Sequence, residues 1–547
     1  MAEATRCARV LVEALVTAGV RDVVLAPGSR SAPLAYELFE ADRIGLVTLH
    51  VRVDERSAGF LALGLARGSG LPVPVVTTSG TAVANLHPAV LEAYHAHLPL
   101  VLLTADRPRS MVHTGANQTT DQEHLFGRHV RGFAAVTDVG GDVAGWRFET
   151  ARLLAAATGV RSRLPGPVQL NVAFSDPLVP TEVATVPVAP ELRISPSPAA
   201  DPLELPAGPQ TVMVVGDLAP ADGRTAAGLA VAAGVPLLAE PSSNARIGPS
   251  ALSTYRLLLA SGLAEEVERV VLFGRPTLSR PVSRLLARAD VELVVVTPYA
   301  DWPDPGRVVT AVADAVRFEA DPHPAAAQEW LSAWQQADAG ARGQLDALLA
   351  AQPYLSGPAA AAALWAALGK EDALVVGSSN PVRDLDLAPI SADPPEVYAN
   401  RGLSGIDGLV STAVGVGLTR DRPTHALIGD LTLLHDVGGL LVGPHEPRPD
   451  LRLVVANDDG GSIFATLEHG RPEHLGAFER VFATPHGADL QALAAVHHLA
   501  YHRVLDVAGL QEVLDEPPVG IELVEVVLDR GQRRRLNEAV NAIAATL

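Results

Sequence analysis

The sequence predicts an α/β fold with three doubly wound parallel-sheet domains. Apolar runs of roughly four to eight residues recur along the chain and end at polar or glycine residues, which is typical of buried parallel strands. Amphipathic segments separate these runs, as crossover helices do in such sheets. Two stretches of different composition, residues 177–209 and 322–352, divide the chain into three regions.

The first region alternates helices and strands. Helical periodicity predicts helices at residues 3–18, 30–41, 55–67 and 82–95, the third with small residues along one face. Short apolar runs predict strands at residues 23–28, 47–51, 72–78, 99–106 and 165–172. Repeated strand–helix–strand units indicate a parallel sheet with helices on both faces.

The second and third regions repeat this pattern. The stretch 177–209 is rich in proline and alanine and is predicted to be a linker, whereas 322–352 is rich in alanine and glutamine and is predicted to be helical. Strands of the second region are predicted at residues 211–216, 235–239, 269–274 and 292–297. Strands of the third region are predicted at residues 373–377, 396–399, 426–430, 453–457 and 521–527. The predicted domains therefore span residues 1–180, 205–320 and 355–547.

Composition indicates a globular cytoplasmic protein. Of the 547 residues, 48% are hydrophobic and 19% are charged, and the net charge is −20, which argues against non-specific binding of nucleic acid. No apolar run reaches the length of about 18 residues that a membrane span needs, and the first residues show no secretory signal pattern. The single cysteine, Cys7, allows no internal disulfide. Because Lys370 is the only lysine, an anionic substrate would have to be bound by arginines.

Two strands of the third region end on side chains that suit a metal ion. One apolar run ends at Gly429-Asp430 and the next ends at Asn457, with residues 431–442 predicted as the crossover helix between them. The carboxyl ends of neighbouring parallel strands meet at one edge of the sheet, where ligands of such folds bind. Carboxylate and amide oxygens beside a phosphate are typical of a Mg²⁺ site. Either residue alone would more often be a helix cap or a turn residue.

The spacing between these two residues is weak evidence by itself. The pair Asp217 and Asn244 repeats the same spacing, and Asp217 also follows a glycine. No apolar run leads into Asn244, however, whereas Asn457 ends a strand and precedes Gly460-Gly461, where a backbone can approach a ligand closely. The prediction therefore depends on the two strands and not on the spacing.

Polar turns follow several other predicted strands. Arg30, Arg107 and Arg401 each lie in a Gly- or Pro-containing turn after an apolar run, which favours a site for a polycarboxylate. A single arginine in such a position would more often be a surface residue. Other turn residues are expected to contribute backbone amides or to orient a ligand, and these are Ser29, Thr78, Ser79, Gly80, Asn117, Gln118, Ser379, Asn380 and Arg383.

Together these motifs resemble the thiamine-diphosphate enzymes. Within that superfamily they closely resemble the synthases of 2-succinyl-5-enolpyruvyl-6-hydroxy-3-cyclohexene-1-carboxylate (SEPHCHC) in menaquinone biosynthesis. The resemblance covers essentially the whole chain and rests on six segments in order: Ala-Pro-Gly-Ser-Arg-Ser, Val-Asp-Glu-Arg-Ser-Ala-Gly, Thr-Ser-Gly-Thr-Ala-Val-Ala-Asn, Thr-Ala-Asp-Arg-Pro, Gly-Ala-Asn-Gln and Asn-Arg-Gly-Leu-Ser-Gly-Ile-Asp-Gly. One departure is Asp458, where the wider superfamily commonly has asparagine.

The resemblance implies a cofactor site. The three domains would be pyrimidine-binding, central and diphosphate-binding, in that order. Glu55, which by itself would be read as an acidic first turn of a helix, would be the catalytic residue that hydrogen-bonds the aminopyrimidine, so that the cofactor performs its own base chemistry. Asp430, Asn457 and the Asp459 carbonyl would hold Mg²⁺ or Mn²⁺ on the diphosphate. The other implied cofactor-binding residues are Thr78, Ser79, Gly80, Ser404, Gly405, Ile406, Leu431, Thr432, Gly460, Gly461 and Ile463.

The resemblance also implies the reaction. It is the decarboxylation of 2-oxoglutarate and the addition of the resulting succinyl carbanion equivalent to isochorismate, giving SEPHCHC. The implied substrate-binding residues are Ser29, Arg30, Arg107, Asn117, Gln118, Ser379, Asn380, Arg383, Arg401, Ile463 and Phe464. Active sites at the interface of a homodimer or homotetramer are expected, without nucleic-acid partners or an integral membrane segment.

Three other functions are compatible with parts of the sequence. Another thiamine-diphosphate carboligase or decarboxylase, such as an acetolactate synthase, is the nearest, but three arginine turns suit dicarboxylates better than pyruvate. A non-catalytic nucleotide-binding or regulatory protein is disfavoured because Glu55, Asp430 and Asn457 occur together. A Rossmann dehydrogenase comes last because no Gly-x-Gly-x-x-Gly follows the predicted strands.

Overall fold

Four parallel β-sheets organise the chain in a computed structural model that describes residues 2–180, 193–320 and 324–547. Helices connect the strands, so the predicted α/β class is confirmed. Residues 181–192 of the predicted linker and the first residues of the predicted helix at 322–352 lie outside the described residues. None of the described helices is long and apolar enough to cross a membrane.

The first sheet has six strands in the order β2-β1-β3-β4-β6-β5. Its strands are β1 (Asp22–Leu25), β2 (Thr48–Val51), β3 (Val73–Thr77), β4 (Leu100–Asp106), β5 (Gly132–Thr137) and β6 (Val168–Ala173). The helices of this region are α1 (Glu3–Thr17), α2 (Ala32–Arg43), α3 (Glu55–Ser69), α4 (Thr81–Ala84), α5 (His87–His95) and α6 (Val143–Thr158). The strand order reverses between β1 and β3, which makes the ends of these two strands the expected ligand-binding edge.

The middle of the chain forms a five-stranded sheet in the order β12-β11-β10-β8-β9 and a separate pair, β13-β7. The strands are β7 (Leu203–Leu205), β8 (Thr211–Val215), β9 (Leu237–Ala239), β10 (Arg269–Phe273), β11 (Glu292–Val296), β12 (Val309–Ala313) and β13 (Val316–Phe318). The helices are α7 (Pro220–Ala233), α8 (Tyr255–Leu258), α9 (Arg280–Leu285) and α10 (Pro324–Ala350).

The last sheet has six strands in the order β15-β14-β16-β17-β19-β18, the same relative order as in the first sheet. Its strands are β14 (Ala373–Val376), β15 (Glu396–Tyr398), β16 (Thr424–Gly429), β17 (Leu451–Asn457), β18 (Ala500–Val504) and β19 (Ile521–Val527). The helices are α11 (Gly357–Ala367), α12 (Asn380–Leu385), α13 (Leu409–Leu418), α14 (Asp430–His435), α15 (Leu475–Phe478), α16 (Leu490–Val496), α17 (Val507–Leu514) and α18 (Arg533–Ala542). Here the strand order reverses between β14 and β16.

The described residues fall into two compact units. The first unit contains those within Met1–Pro198, Gly402–Asp421 and His435–Pro449, and it holds the first sheet and α13. The second unit contains those within Ala199–Arg401, Arg422–Leu434 and Asp450–Leu547, and it holds the other three sheets. The domain boundaries drawn from composition stay predictions.

Two predicted helices are wrong as single elements. The helix predicted at 82–95 is broken into α4 and α5, because Pro88 restarts the helix after Asn85. The crossover helix predicted at 431–442 ends at His435 and is followed by a 3₁₀ helix at Val437–Leu440. Gly438-Gly439 weakens the helix there, and the fully buried Asp436 carboxylate accepts hydrogen bonds from the Ser411 backbone and the Ser57 hydroxyl.

Small residues allow α3 and α13 of the first unit to cross at very close range. A Cβ atom built on Gly64 would lie 2.3 Å from the Thr412 carbonyl oxygen, and one on Gly415 would lie 2.5 Å from the Leu61 carbonyl oxygen. The Thr412 hydroxyl donates to the Phe60 carbonyl at 3.5 Å. The predicted stripe of small residues on α3 is therefore the surface on which α13 packs, and it fixes the helix that begins at Glu55.

We expect Gly64→Ala to destabilise the protein by about 1–3 kcal/mol, because the added methyl group overlaps backbone atoms that cannot move aside. Gly228→Ala on α7 is the matched control, since a Cβ atom there would meet no atom within 4 Å. Removing a helical glycine at such an open position is worth roughly 0.5–1 kcal/mol of stability. Thermal unfolding of both variants checks the sign difference; equal shifts in the two variants would contradict the close crossing.

Candidate active site

The turns after β1 and β3 touch each other in the first unit. A Cβ atom on Gly28 would lie 2.3 Å from the Cβ atom of Thr78, so only glycine fits there. The Ser31 hydroxyl donates to the Gly28 carbonyl at 3.0 Å and closes the first turn. Gly80 closes the second turn with a φ of 86°, a conformation that favours glycine. The predicted residues Ser29, Arg30, Thr78, Ser79 and Gly80 therefore lie in two adjoining turns at the expected edge of the sheet.

The turn at 78–80 is held by the loop that contains Gln118. The Ser79 hydroxyl donates to the Gln118 carbonyl at 2.8 Å, and the Gln118 amide donates to the Ser79 carbonyl at 3.1 Å. The backbone N–H of Gly80 donates to Oε1 of the buried Gln122 at 2.9 Å. Gln122 was not predicted, because nothing in the local sequence distinguishes it from a surface glutamine.

The structure brings Arg30 and Arg107 close together. Arg30 is only 7% exposed and donates to the Phe174 carbonyl at 2.8 Å, while its Nε has no hydrogen-bond partner. Burial and then the charge of Arg107 lower the pKa of Arg30 below its usual value. Arg107 is held by its side chain, which donates to Asn117 at 3.4 Å, and by its backbone N–H, which donates to Asp106 at 2.7 Å. Two neighbouring guanidinium groups of this kind suit an anionic ligand.

A buried polar network connects the turn that contains Gly80 to the turn that contains Arg107. The Asn171 amide donates to Asp106 at 2.8 Å, and its oxygen accepts from Gln122 at 2.9 Å and from the Thr104 hydroxyl at 2.8 Å. Burial raises the pKa of Asp106. Because Asp106 holds the Arg107 turn and Gln122 holds the Gly80 turn, the network fixes the two turns relative to each other. The sequence does contain an indication of this network, since Thr104 and Asn171 are polar residues within otherwise apolar strands.

Glu55 is the first residue of α3. The Asp54 carboxylate caps the helix by accepting from the backbone N–H of Arg56 at 3.1 Å. The half-buried Glu55 accepts a hydrogen bond from the side chain of Asn85 at 3.3 Å, which the break between α4 and α5 makes available. Residues 404–406 belong to the same unit, and the buried Glu92 holds the start of their loop by accepting from the backbone N–H groups of residues 402 and 403, each at 2.7 Å.

Asp430 and Asn457 emerge side by side in the second unit, as predicted from their strands. β16 and β17 are parallel neighbours, and Gly429 is in register with Ala456. Asp430 is 2% exposed; it accepts from the backbone N–H groups of Leu431 at 2.6 Å and Gly460 at 2.8 Å, and its Oδ2 lies 3.1 Å from Nε2 of His486. Nδ1 of His486 accepts from the Ala488 backbone, so the proton on Nε2 points at Asp430. His486 was not predicted.

The oxygen atoms of Asp430, Asn457 and the Asp459 backbone are of the type that a hard cation takes. The Asp459 carbonyl oxygen accepts a hydrogen bond from the Arg530 guanidinium in this structure. The carboxamide oxygen of Asn457 accepts from the Asp459 backbone N–H at 3.0 Å. Asp459 has a φ of 55°, and its side chain is held by the backbone N–H groups of His486 at 3.0 Å and Gly487 at 2.8 Å. Among the described residues no group of three His, Cys, Asp or Glu side chains can hold a metal ion. A metal here would therefore depend on one carboxylate, amide and carbonyl oxygens, and a phosphate-bearing ligand, the donor set that Mg²⁺ accepts.

Asp458 is the one residue at which this sequence departs from the pattern that it resembles. Burial raises its pKa to about 7, and the charge of Asp430 acts in the same direction, whereas the hydrogen bond with Ser462 and the arginines 530 and 533 oppose the shift. A carboxyl group that keeps its proton near neutrality resembles a carboxamide in charge and in hydrogen bonding. An aspartic acid at this position therefore differs little from an asparagine in charge.

The second pair of arginines follows β14 and β15. Arg401 is 4% exposed and is held by Thr277 Oγ1 at 3.0 Å and by Ser378 Oγ at 3.3 Å, so few of its N–H groups stay free for a ligand. Arg383 donates to the Ser379 carbonyl at 2.7 Å. Burial lowers the pKa of Arg383, and the charges of Arg401 and then Arg256 lower it further. Arg256, on α8, is a third cation near this position that sequence reasoning missed.

Asn380 is fixed at both ends of its carboxamide. Its amide nitrogen donates to the Ser462 hydroxyl at 2.7 Å, and its oxygen accepts from Arg533 at 3.1 Å. Ser462 begins the 3₁₀ helix Ser462–Thr466, which carries the half-buried Ile463 and Phe464. The Phe464 ring packs 5.8 Å from that of Phe482, centroid to centroid. Asn380 thus connects the end of β14 to the apolar residues that follow β17.

Glu240 supports Arg401 from the five-stranded sheet. Its buried carboxylate accepts from the backbone N–H groups of Thr277 at 3.1 Å and Leu278 at 2.9 Å, and Thr277 in turn accepts from Arg401. Burial raises the pKa of Glu240 from the usual 4.5 to about 7. The folded protein therefore binds this proton more tightly than the unfolded chain, and stability is lost as the pH rises from about 4.5 to about 7.

We expect Glu240→Gln to remove this loss of stability. Glutamine keeps an acceptor for the two N–H groups but cannot ionise, so the variant should gain stability relative to the wild type as the pH rises, by on the order of 3 kcal/mol above pH 7. Unfolding midpoints of both proteins between pH 5 and 8 provide the check. Parallel pH profiles would contradict an ionisable Glu240.

The predicted site residues thus form two sets, one in each unit. The first set comprises Ser29, Arg30, Glu55, Thr78, Ser79, Gly80, Arg107, Asn117, Gln118, Ser404, Gly405 and Ile406. The second set comprises Ser379, Asn380, Arg383, Arg401, Asp430, Leu431, Thr432, Asn457, Asp459, Gly460, Gly461, Ile463 and Phe464. Asn244, which has the same sequence separation from Asp217, belongs to neither set. Its amide donates to the carbonyls of Leu218 and Val397 and so joins the turn after β8 to β15.

The chain is similar to a family of thiamine-dependent enzymes and, over nearly its full length, to several proteins of one name. The family model described as "Thiamine pyrophosphate enzyme, N-terminal TPP binding domain" matches residues 5–125, which include Glu55 and the turns after β1 and β3. The chain is similar to the 2-succinyl-5-enolpyruvyl-6-hydroxy-3-cyclohexene-1-carboxylate synthase of Kineococcus radiotolerans, with 50% identity over 561 residues that cover 100% of both chains. The proteins of the same name from an Arthrobacter species (49% identity; 98% of this chain and 92% of the relative) and from Mycobacterium leprae (42%; 99% and 100%) are also similar to it.

Proposed function

The chain belongs to the family of 2-succinyl-5-enolpyruvyl-6-hydroxy-3-cyclohexene-1-carboxylate synthases, thiamine-diphosphate enzymes, and we propose that it catalyses the reaction for which the family is named. The substrates are 2-oxoglutarate and isochorismate, the products are SEPHCHC and CO₂, and the pathway is menaquinone biosynthesis. The observation that carries the proposal is the set of oxygens formed by Asp430, Asn457 and Asp459 at the ends of β16 and β17 in a chain related to these synthases over its whole length.

These oxygens would hold the cofactor through a metal ion. The Asp430 carboxylate, the Asn457 carboxamide oxygen and the Asp459 carbonyl would hold Mg²⁺ or Mn²⁺, and the metal would supply positive charge for binding the diphosphate. Backbone groups of the adjoining turns would bind the rest of the diphosphate, and these turns contain Leu431, Thr432, Gly460 and Gly461. Glu55 would hydrogen-bond the aminopyrimidine, and Ser404, Gly405 and Ile406 would support the rings. Bound thiamine diphosphate supplies the electron sink that decarboxylation of a 2-oxo acid requires.

The arginines would select the substrates. Both substrates are dicarboxylates, and the chain offers the pair Arg30 and Arg107 in one unit and the pair Arg383 and Arg401 in the other. A guanidinium group pairs with a carboxylate through two parallel hydrogen bonds. Ser29, Asn117, Gln118, Ser379 and Asn380 would orient the bound acids. Ile463 and Phe464 would exclude water from the bound substrates.

The proposed organisation follows the three sheets. We propose a pyrimidine-binding domain at residues 1–180, a central domain at 205–320 and a diphosphate-binding domain at 355–547. We further propose a cytoplasmic homodimer or homotetramer with active sites at the subunit interface, so that Glu55 of one chain and Asp430 of another serve the same cofactor. Cys7 is fully buried, in keeping with a reducing compartment.

Product analysis tests the proposed function. The chain is incubated with thiamine diphosphate, Mg²⁺ and 2-oxoglutarate, with and without isochorismate, and the products are identified by mass spectrometry. We expect SEPHCHC only when both acids are present. A parallel reaction with pyruvate in place of 2-oxoglutarate tests the alternative of another carboligase, and formation of acetolactate with no consumption of 2-oxoglutarate would replace the proposal.

A further inference from the structure

Three side chains on neighbouring strands of the last sheet are joined by hydrogen bonds. Asn457 ends β17, Glu525 lies in β19 and Tyr501 lies in β18, and β19 runs between the other two strands. The Asn457 amide nitrogen donates to Oε1 of Glu525 at 2.6 Å. The Tyr501 hydroxyl donates to Oε2 of the same carboxylate. Each oxygen of Glu525 therefore has its own donor.

The strand register explains why these residues meet. Glu525 is in register with Val455 on one side and with Arg503 on the other. Asn457 lies two residues after Val455, and Tyr501 lies two residues before Arg503. Since side chains alternate between the faces of a sheet with a period of two, Tyr501, Glu525 and Asn457 all point to the same face, along a diagonal that ends at the proposed metal site.

The chemistry of Glu525 decides which way the Asn457 carboxamide faces. Both oxygens of Glu525 act as acceptors in this structure, one from Asn457 and one from Tyr501, so Glu525 holds the NH₂ group of Asn457 towards itself. The carboxamide oxygen then faces the opposite direction, where the Asp459 backbone N–H donates to it at 3.0 Å. The reverse orientation would present two N–H groups to a cation, which repel it.

We propose that Glu525, held in place by Tyr501, is a positioning residue that keeps the Asn457 oxygen directed at the metal of the cofactor. The inference rests on the proposed function and deepens it. Glu525 contacts neither substrate nor cofactor in this role; it acts through Asn457. Partners of this kind orient the groups that bind a metal, and their loss typically weakens metal affinity about 10–100-fold.

The test measures Mg²⁺ binding in the presence of thiamine diphosphate by isothermal titration calorimetry. We expect Glu525→Leu to weaken Mg²⁺ affinity about 10–100-fold, with kcat at saturating Mg²⁺ close to the wild-type value. Glu525→Gln keeps an acceptor oxygen for Asn457 and should bind Mg²⁺ nearly as tightly as the wild type. Tyr501→Phe should weaken Mg²⁺ affinity in the same direction but by less. If thermal unfolding without ligands shows that the leucine variant does not fold, Tyr501→Phe replaces it in the test.

A double substitution distinguishes loss of the Asn457 carboxamide orientation from general disruption of the site. In the Asn457→Asp background there is no amide to orient, and Glu525 instead repels the new carboxylate. There we expect Glu525→Leu to leave Mg²⁺ affinity unchanged or to raise it, the opposite of its effect beside asparagine. Wild-type affinity in the Glu525→Leu single variant, or an equal loss in both backgrounds, would overturn the inference alone. A wild-type chain that binds thiamine diphosphate without any dependence on Mg²⁺ would overturn the proposed metal site and the inference with it.

Discussion

Glu55→Gln is expected to lower kcat by about 10²–10⁴-fold, the usual range for loss of a group that controls proton transfer. Glutamine has nearly the size of glutamate and can still accept from Asn85, so the start of α3 should be preserved. It cannot make the carboxyl hydrogen bond to the aminopyrimidine that is the role proposed for Glu55. Thiamine diphosphate should still bind, because the groups proposed to hold its diphosphate lie elsewhere in the chain. Steady-state kinetics and calorimetric titration with the cofactor measure the two quantities separately.

Glu40→Gln is the matched control for this prediction. Glu40 lies on α2 and forms a surface ion pair with Arg43 at 2.8 Å, whose contribution to stability is small. That variant should show wild-type turnover and wild-type cofactor binding. If the Glu55→Gln enzyme turned over as fast as the Glu40→Gln enzyme, the catalytic role proposed for Glu55 would be contradicted.

Asp430→Ala is expected to abolish the dependence of cofactor binding on Mg²⁺. The substitution removes the one buried carboxylate among the proposed metal ligands and leaves the backbone N–H groups of Leu431 and Gly460 without their acceptor. Loss of a direct ligand should exceed the roughly 10–100-fold loss of metal affinity that follows removal of an outer partner. Titration of the variant with thiamine diphosphate at several Mg²⁺ concentrations measures the effect.

Asp217→Ala is the matched control for Asp430→Ala. Asp217 also follows a glycine and stands at the same distance before an asparagine, but that asparagine, Asn244, is bonded to the carbonyls of Leu218 and Val397. Asp217→Ala should therefore leave the affinity for the cofactor at every Mg²⁺ concentration unchanged. If both alanine variants bind the cofactor like the wild type, the metal is not held at Asp430.

The fold was predictable where strands are buried on both faces. β4, β8 and β14 bury every residue, and their continuous apolar runs identified them. The strands β5, β7, β12, β13 and β18 were not predicted. Of these, β5, β12 and β18 are edge strands of the large sheets, and each has at most one buried residue. Where an edge strand leaves most of its side chains partly solvated, its sequence lacks a continuous apolar run.

The candidate site was predictable where it depends on strand ends. Asp430 and Asn457 follow neighbouring strands, and the parallel register places them side by side without any further information. The role proposed for Glu55 rests on the resemblance, because an acidic residue in the first turn of a helix has an ordinary explanation in the helix dipole. The supporting residues Gln122 and Glu92 were missed, since their partners at Gly80 and at residues 402–403 are distant in sequence. Only tertiary structure brings such pairs together.

Co-expression of two inactive variants tests whether Glu55 and Asp430 serve one thiamine-diphosphate site formed by two chains. Glu55→Gln and Asp430→Ala chains are co-expressed with different affinity tags, and SEPHCHC formation is compared with that of each variant alone. In a mixed dimer one of the two sites contains both an intact Glu55 and an intact Asp430. We expect recovery of about a quarter of wild-type activity, because about half of randomly formed dimers are mixed and each mixed dimer has one intact site of two. A mixture as inactive as the separate variants would contradict it.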